Sequence, residues 1–367
     1  MKLLIPTEPD DTHALFVKIV LEEMGHTARL LFTADHPTKQ CNSVYLDQNQ
    51  HYHWKSSDEF NAYDDNDYDV VWWRRARKPH VPKKLSHPDD YQFVVRENNL
   101  FHESLTSNLA PQAWWINDKE AATRANFKLL QLRIASECQL MIPETLCSND
   151  PDDIKRFIMK HKSQDVIYKP LCSNFWFEED KVKITYTQKI KLADLRNMDL
   201  LQLVPGIYQH EIKKKYELRV TCFGRYCVAA KIDSQTHPTT QLDWRSFEDN
   251  LTIQPYQLPL SLEKKIYQFM DKLGIIFGSF DFIVTPDNQY VFLEVNEQGQ
   301  FLWIEDFNPE IKMLDVFINF ILNKSKQFIW NPKHFKHSTE KYRNKLQKPL
   351  KENMERHVYL NGVITKA

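Results

Sequence analysis

The stretch GSFDFIV (278–284), TPDN (285–288), QYVFLEVN (289–296) reads as a β-hairpin, with apolar and polar residues alternating on either side of a turn at Thr285, Pro286, Asp287 and Asn288. Pairing Ile283 with Tyr290 across the turn sets Asp281 opposite Phe292. The period of two then puts Asp281, Glu294 and Asn296 on one face. Phe280, Phe282, Leu293 and Val295 fall on the other, so the hairpin offers one oily face and one acidic face. Acids beside apolar strands are costly unless a cation or a basic partner answers them. A set of carboxylate and amide oxygens, without His or Cys, suits Mg²⁺. An exposed polar strand face is the plain alternative, and the hairpin by itself leaves both open.

Working outward, YELRV (216–220) sets Glu217 and Arg219 on one strand face and Leu218 and Val220 on the other, just after Lys213, Lys214 and Lys215. Strands are expected from Leu201 to Ile232, and a helix from Ser261 to Leu273. Further upstream, a helix over 151–161, a strand over 165–169 ending before Pro170, and a hairpin over 172–192 with Glu179 and Asp180 near its turn make a small α+β module. DKEAATRANFKLLQLRIASE (118–137) reads as one capped helix with Ala121, Ala125, Leu129 and Leu132 on one face and Asn126 and Lys128 off it. Lys128, Lys169 and Arg219 thus each stand at the edge of an apolar element, and as a set they suit an anion. At the start, residues 2–5 and 28–32 are apolar runs around a helix over 12–24, capped by Asp10 or Asp11 and closed by Gly25. That order predicts an α/β unit with a parallel sheet. A further strand, 69–73, delivers Arg74, Arg75 and Arg77 at its end, either as a solvated basic turn or as an anion contact. A helix over 309–322 closes the folded part.

Composition narrows the function. The chain has 367 residues, enough for two or three domains, and 42% hydrophobic residues, enough for sizeable cores. Only seven glycines occur, and none forms GxGxxG or GxxxxGK[ST], so any nucleotide is held without a Rossmann fingerprint or a Walker loop. A net charge of −1 argues against a whole-protein preference for nucleic acid or membrane, although nine Lys/Arg against three acids from Asn331 onward make a basic tail, expected to be a solvated helix or a disordered end. The six cysteines lack a CxxC pair and read as reduced core thiols. The opening MKLLIPTEPDD is too short an apolar run for a signal peptide, and no run nears the length of a membrane span, which places the protein in the cytoplasm. His51, His53, His334 and His337 lack further ligands at metal spacing and read as surface or stacked rings. There is no GxSxG elbow and no placed Cys/His pair, so no protein nucleophile is indicated.

The order of Lys128, Lys169, QHEI (209–212), YELR (216–219), FDF (280–282) and FLEVN (292–296) resembles the ATP-grasp ligases, and within them the graspetide (microviridin-type) peptide maturases. THALFVKIVLEEMGH, VWWRR, WWIN, KLLQLRIAS, IPETLCSNDP, DWR (243–245) and NEQGQFLWIE are similar to that branch, over residues 1 to about 330. The resemblance implies an α/β plus α+β architecture: an N-terminal α/β pre-ATP-grasp domain (1–117), a small lid module (118–195), a larger antiparallel-sheet module with the metal site (196–330), and then the tail (331–367). It further implies that Lys128 and Lys169 contact ATP phosphates and that Gln209, Glu211 and Ile212 line the adenine pocket through the backbone. Glu217 would sit near the ribose, and Asp281, Glu294 and Asn296 would hold Mg²⁺. Arg219 would stabilise the transferring phosphoryl group, and Asp243 and Arg245 would engage the substrate peptide. Two departures stand out: Leu171, Cys172, Ser173 and Asn174 replace a glycine-rich loop, and His210 replaces an acid at the hinge. The implied activity is ATP-dependent formation of ester or amide crosslinks in a ribosomal precursor peptide bearing a leader, with a homodimer left open. A ligase adding an amino acid to a small molecule or protein tail, and a nucleotide-binding regulator without turnover, are the alternatives.

Overall fold

In the computed structural model the described residues are 1–49, 52–63, 66–161, 165–172, 175–178, 181–184, 187–236, 240–244 and 251–360. They fall into two compact units, one of Met1–Ala122, Ile275–Phe277 and Lys312–Ala367, the other of Thr123–Gly274 and Gly278–Ile311.

In the first unit, β1 (Lys2–Thr7) and β2 (Thr27–Phe32) flank the helix Thr12–Glu23; an antiparallel sheet of β3 (Gln40–Leu46), β4 (Tyr52–Asp58) and β5 (Ala62–Tyr63) follows, then β6 (Val70–Trp72) and β7 (Trp114–Ile116). The parallel sheet runs β2-β1-β6-β7. Its central strands are apolar because both faces are covered: Leu3, Leu4, Ile5, Val70, Val71 and Trp72 have no exposed surface. Asp11 is the helix cap, accepting from the N–H groups of His13 and Ala14 at 3.1 and 3.3 Å, and Gly25 ends the helix at φ +79°, a value that favours glycine. The arginines after β6 are neither a solvated turn nor an open anion site. Arg74 lies 2.6 Å from Asp11, Arg75 bonds Glu8 and Asp10, and Arg77 holds Glu8 through two nitrogens, so acids following β1 neutralise cations following β6.

Among the described residues the basic tail is docked in part: the helix Gln347–Arg356 buries none of its residues, as a solvated helix would, while the segments around it are held. Helices Thr339–Tyr342 and Gln347–Arg356 pack within this unit, burying Thr339, Tyr342 and His357. His337 stacks on Tyr342 and bonds its hydroxyl at 2.9 Å. His357 Nδ1 is 2.6 Å from Asp35 Oδ2, and the Val358 N–H donates to Asp35 Oδ1 at 2.6 Å. Asp58 completes a group whose ligand atoms lie within 4.8 Å of one another. Both Asp35 oxygens are already engaged, which makes the cluster an anchor for the tail. Charge counting missed this because a few aromatic and histidine side chains decide the docking, while the lysines face water.

The second unit holds β8 (Thr145–Ser148), β9 (Val166–Lys169), a separate hairpin of β10 (Phe175–Glu178) and β11 (Lys181–Ile184), then β12 (Gln188–Ile190) and β13 (Gly206–His210). Glu179 and Asp180, expected near the hairpin turn, lie outside the described residues. The order β12-β9-β13-β8 draws β13, expected in the larger module, into the sheet of the smaller one. A helix Met198–Leu203 occupies the start of the region expected to be strand. A five-stranded sheet of β14 (Tyr216–Phe223), β15 (Tyr226–Ile232), β16 (Ile253–Tyr256), β17 (Phe277–Val284) and β18 (Tyr290–Asn296) runs β16-β15-β14-β17-β18. The helices Leu260–Leu273 and Met313–Asn323, the latter in the first unit, lie close to their expected positions.

Three further expectations change. The helix predicted over 118–137 is two, Lys119–Ala125 and Lys128–Glu137, because the Asn126 amide turns aside to donate to Glu297 at 2.9 Å and Phe127 is extended (ψ 99°). The break rotates the second segment, leaving Leu129 53% exposed and burying Gln131 instead. The Gln131 amide donates to the Val295 carbonyl (3.0 Å) and accepts its N–H (2.9 Å), supplying the ladder partner that edge strand β18 lacks. The β17–β18 register also differs: Val284 pairs with Tyr290, Phe282 with Phe292, and a bulge then brings Asp281 opposite Glu294. Finally, Cys222 and Cys227 are joined as a disulfide; they face each other across the β14–β15 hairpin, where antiparallel pairing brings Cβ atoms close without any CxxC spacing. Of the others only Cys138 is buried, while Cys41 and Cys172 are exposed.

Candidate active site

Within the second unit a cleft of about 560 Å³ opens between the small sheet, the start of the helix Lys128–Glu137 and the acidic face of β14, β17 and β18. That volume suits a nucleotide-sized ligand. Lys128, Lys169, Gln209, Glu211, Ile212, Glu217, Asp243, Asp281 and Glu294 all line it. Arg219 stands behind Asp281. Asn296 is not among the lining residues; its side-chain oxygen accepts the Gln298 N–H at 3.0 Å. Arg245 lies outside the described residues, as do Ser173 and Asn174.

The bulge shapes the acidic end. It sends Phe292 into the core beside Phe280 and Phe282, and it turns both Leu293 and Glu294 toward the cleft, where Glu294 meets Asp281 as its cross-strand partner. Each carboxylate has its own cation. Arg219 forks onto both Asp281 oxygens at 2.9 and 2.7 Å, while its second terminal nitrogen donates to the carbonyls of Gly299 (2.8 Å) and Gln300 (3.2 Å). Its Nε is buried with no partner among the described residues. Lys128 pairs with Glu294.

At the other end, Glu217 is buried; desolvation pushes its carboxyl above the usual range, and the Lys214 ammonium, 3.0 Å away, partly offsets this. Gln209 spends its amide on Thr145 (2.9 Å), and the Glu211 N–H donates to the Asp165 carbonyl (2.7 Å) as its carboxylate meets Lys189 (2.6 Å). The strand ends at His210, and Ile212, just beyond it, lines the cleft. His210 stacks on His161 at 5.5 Å, and burial, with His161 second, pushes its pKa below the ordinary value.

Lys214 and Trp244 are among the lining residues that the sequence reading did not assign to the site. Lys214 is the middle of three lysines, and nothing in a run of like charges marks which one is buried. Trp244, within DWR, stacks on Trp303 at 4.8 Å. Five lining carboxylates (Glu211, Glu217, Asp243, Asp281, Glu294) face three lysines (Lys128, Lys169, Lys214). Arg219 at Asp281 and Lys189 at Glu211 bring the positive charges to the same number, so a polyphosphate entering the cleft meets no excess of cations, and a divalent ion carried with it would supply one. Asp281 and Glu294 present facing oxygen donors of the kind such an ion takes, and their present partners are Arg219 and Lys128.

No family model and no curated protein matches the chain. Among solved structures it is similar to a RiPP-associated ATP-grasp ligase of Chryseobacterium gregarium in complex with ADP and a leader and core peptide, at TM-score 0.77 and 25% identity, covering 88% of this chain and 97% of that one. The macrocyclase MdnC of Microcystis aeruginosa, bound with precursor peptide MdnA, aligns at TM-score 0.75 and 27% identity over 88% and 100% of the two chains. MdnB of the same organism gives 0.72 and 26% over 88% and 99%. The chain has the ATP-grasp fold of these ligases.

Proposed function

We propose that this protein is an ATP-dependent ligase that joins side chains of a ribosomally made precursor peptide, acting in the cytoplasm. The observation that carries the reading is the cleft itself: two opposed carboxylates, each answered by a cation, share one cavity with separated lysines and with the Asp243 segment. One of the similar proteins is in complex with a leader and core peptide and another is bound with a precursor peptide, which favours a peptide substrate over an added free amino acid. Among the described residues no helix is long and apolar enough to cross a membrane.

In this mechanism a peptide carboxylate oxygen attacks the γ-phosphorus of ATP as the bond to ADP breaks, giving an acyl phosphate. A side-chain hydroxyl or amine then attacks the acyl carbon and gives up its proton, and inorganic phosphate leaves with the carboxylate oxygen. Lys128 and Lys169 hold the phosphates, and Glu217 accepts from the ribose hydroxyls. Arg219, already preorganised by Asp281 and two carbonyls, places positive charge where the transferring group gains negative charge. Asp281 and Glu294, with Asn296 beside them, would hold Mg²⁺. Bound there, the ion would supply neutralising charge to the phosphates. Asp243 orients the peptide, and Arg245 keeps the role that the resemblance gives it.

Lys128→Met and Lys169→Met test the assignment of the phosphate end. Each should weaken ATP binding by about 1–3 kcal/mol, the range for a charge-assisted hydrogen bond, without unfolding the protein. Unchanged affinity by calorimetry in both variants would remove the phosphates from this part of the cleft.

A further inference from the structure

We infer that Lys214 is a positioning residue that ties the nucleotide end of the cleft to the Leu242–Trp244 segment, so that a bound nucleotide fixes the place of Asp243 and Trp244. This deepens the ATP-dependent reading above and rests on it.

Lys214 sits just before β14 with its side chain only 9% exposed, and its ammonium reaches two oxygens of different origin: Glu217 Oε1 at 3.0 Å and the Leu242 carbonyl at 2.8 Å. Glu217 is itself buried, so the pair cannot separate without stranding a desolvated charge. A movement of Glu217 on meeting ribose hydroxyls therefore passes to Lys214, and from Lys214 to the Leu242 carbonyl. The segment beyond that carbonyl has a second tether. Trp244 stacks on Trp303, whose indole N–H donates to the Gln300 carbonyl at 2.7 Å, the same carbonyl that receives Arg219 at 3.2 Å. Asp243 lies between these two tethers and accepts from the Thr187 hydroxyl at 3.5 Å. One tether leads to the nucleotide end and the other to Asp281, which places the segment under the control of both.

Hydrogen exchange read by mass spectrometry tests this, with the non-hydrolysable analogue AMPPNP and Mg²⁺ as the probe. In the wild type, saturating probe should slow exchange over 209–213 and also, by roughly fivefold or more, over 240–244. In Lys214→Met at saturating probe, protection over 209–213 should persist and that over 240–244 should vanish. Lys214→Arg, which keeps charge and donors, should restore it. Should Lys214→Met fail to fold, Lys214→Gln, which offers Glu217 a donor on a shorter side chain, carries the same expectation. Protection over 240–244 that survives loss of Lys214, or that is absent from a wild type protected over 209–213, overturns the coupling. A wild type protected nowhere overturns the nucleotide reading itself, and the inference with it.

Discussion

Glu294→Gln should abolish turnover, by on the order of a thousandfold or roughly 4 kcal/mol of barrier, while the variant melts as the wild type does. The substitution hardly alters volume, and Glu294 is part-exposed at the cleft rather than packed in the core, so the fold has little to lose. Its carboxylate stands opposite Asp281, and removing one of two facing charges removes half of the anionic grip on a divalent ion. Lys128, left without its partner, is exposed enough to be solvated. Mg²⁺ and ATP added together should raise the melting temperature of the wild type by mass action, and of this variant much less. Turnover at the wild-type rate in Glu294→Gln would remove the metal assignment.

Asp11→Ala should cost the first unit about 3–5 kcal/mol, the largest stability effect expected from one substitution here. Arg74 Nε lies 2.6 Å from Asp11, and the two side chains are 0% and 1% exposed, so truncating the acid takes away the carboxylate that faces a buried guanidinium. Thr7 also loses its acceptor at 2.6 Å, and the helix Thr12–Glu23 loses its cap. The wild type should show the same dependence through pH. Burial alone would raise the Asp11 pKa, but Arg74, His13 and Thr7 outweigh it and hold the carboxyl at about 2, below the ordinary 3.8. A depressed acid stabilises the fold at every pH above its unfolded value, so this contribution is full above 3.8 and is lost as pH falls through 3.8 toward about 2. Denaturant melts at neutral pH decide the first point: a loss under about 1 kcal/mol in Asp11→Ala would mean that Arg74 finds other partners.

Elements set by local patterns were legible in the sequence. The β1–helix–β2 unit follows from an apolar run, an Asp cap and a closing Gly25, and the acidic face of β17 and β18 follows from strand alternation. Of Lys128, Lys169 and Arg219, offered as a set at the edges of apolar elements, the two lysines line the cleft and Arg219 does not, while Glu217, which the resemblance named, lines it too. The rest depended on long-range contacts. A bulge adds one residue to a strand without marking the composition, so the predicted pairing slipped by one and Leu293 was assigned to the core. The break at Asn126 depends on Glu297, distant in the chain. His357 gives no sign of its partner Asp35, and the disulfide depends on the register of β14 against β15. Burial separates Lys214 from Lys213 and Lys215, and burial is a property of the assembled sheets.

The most direct test of ligation through an acyl phosphate follows an oxygen atom. A short peptide encoded beside this gene, rich in acidic and hydroxyl or amine side chains, is labelled with heavy oxygen in its side-chain carboxylates and incubated with the protein, ATP and Mg²⁺. Peptide and phosphate are then weighed by mass spectrometry. The proposed function predicts ADP, a peptide lighter by one water for each bond formed, and one labelled oxygen carried into inorganic phosphate per bond. Crosslinked peptide with unlabelled phosphate, AMP in place of ADP, or a peptide heavier by an added amino acid would contradict it.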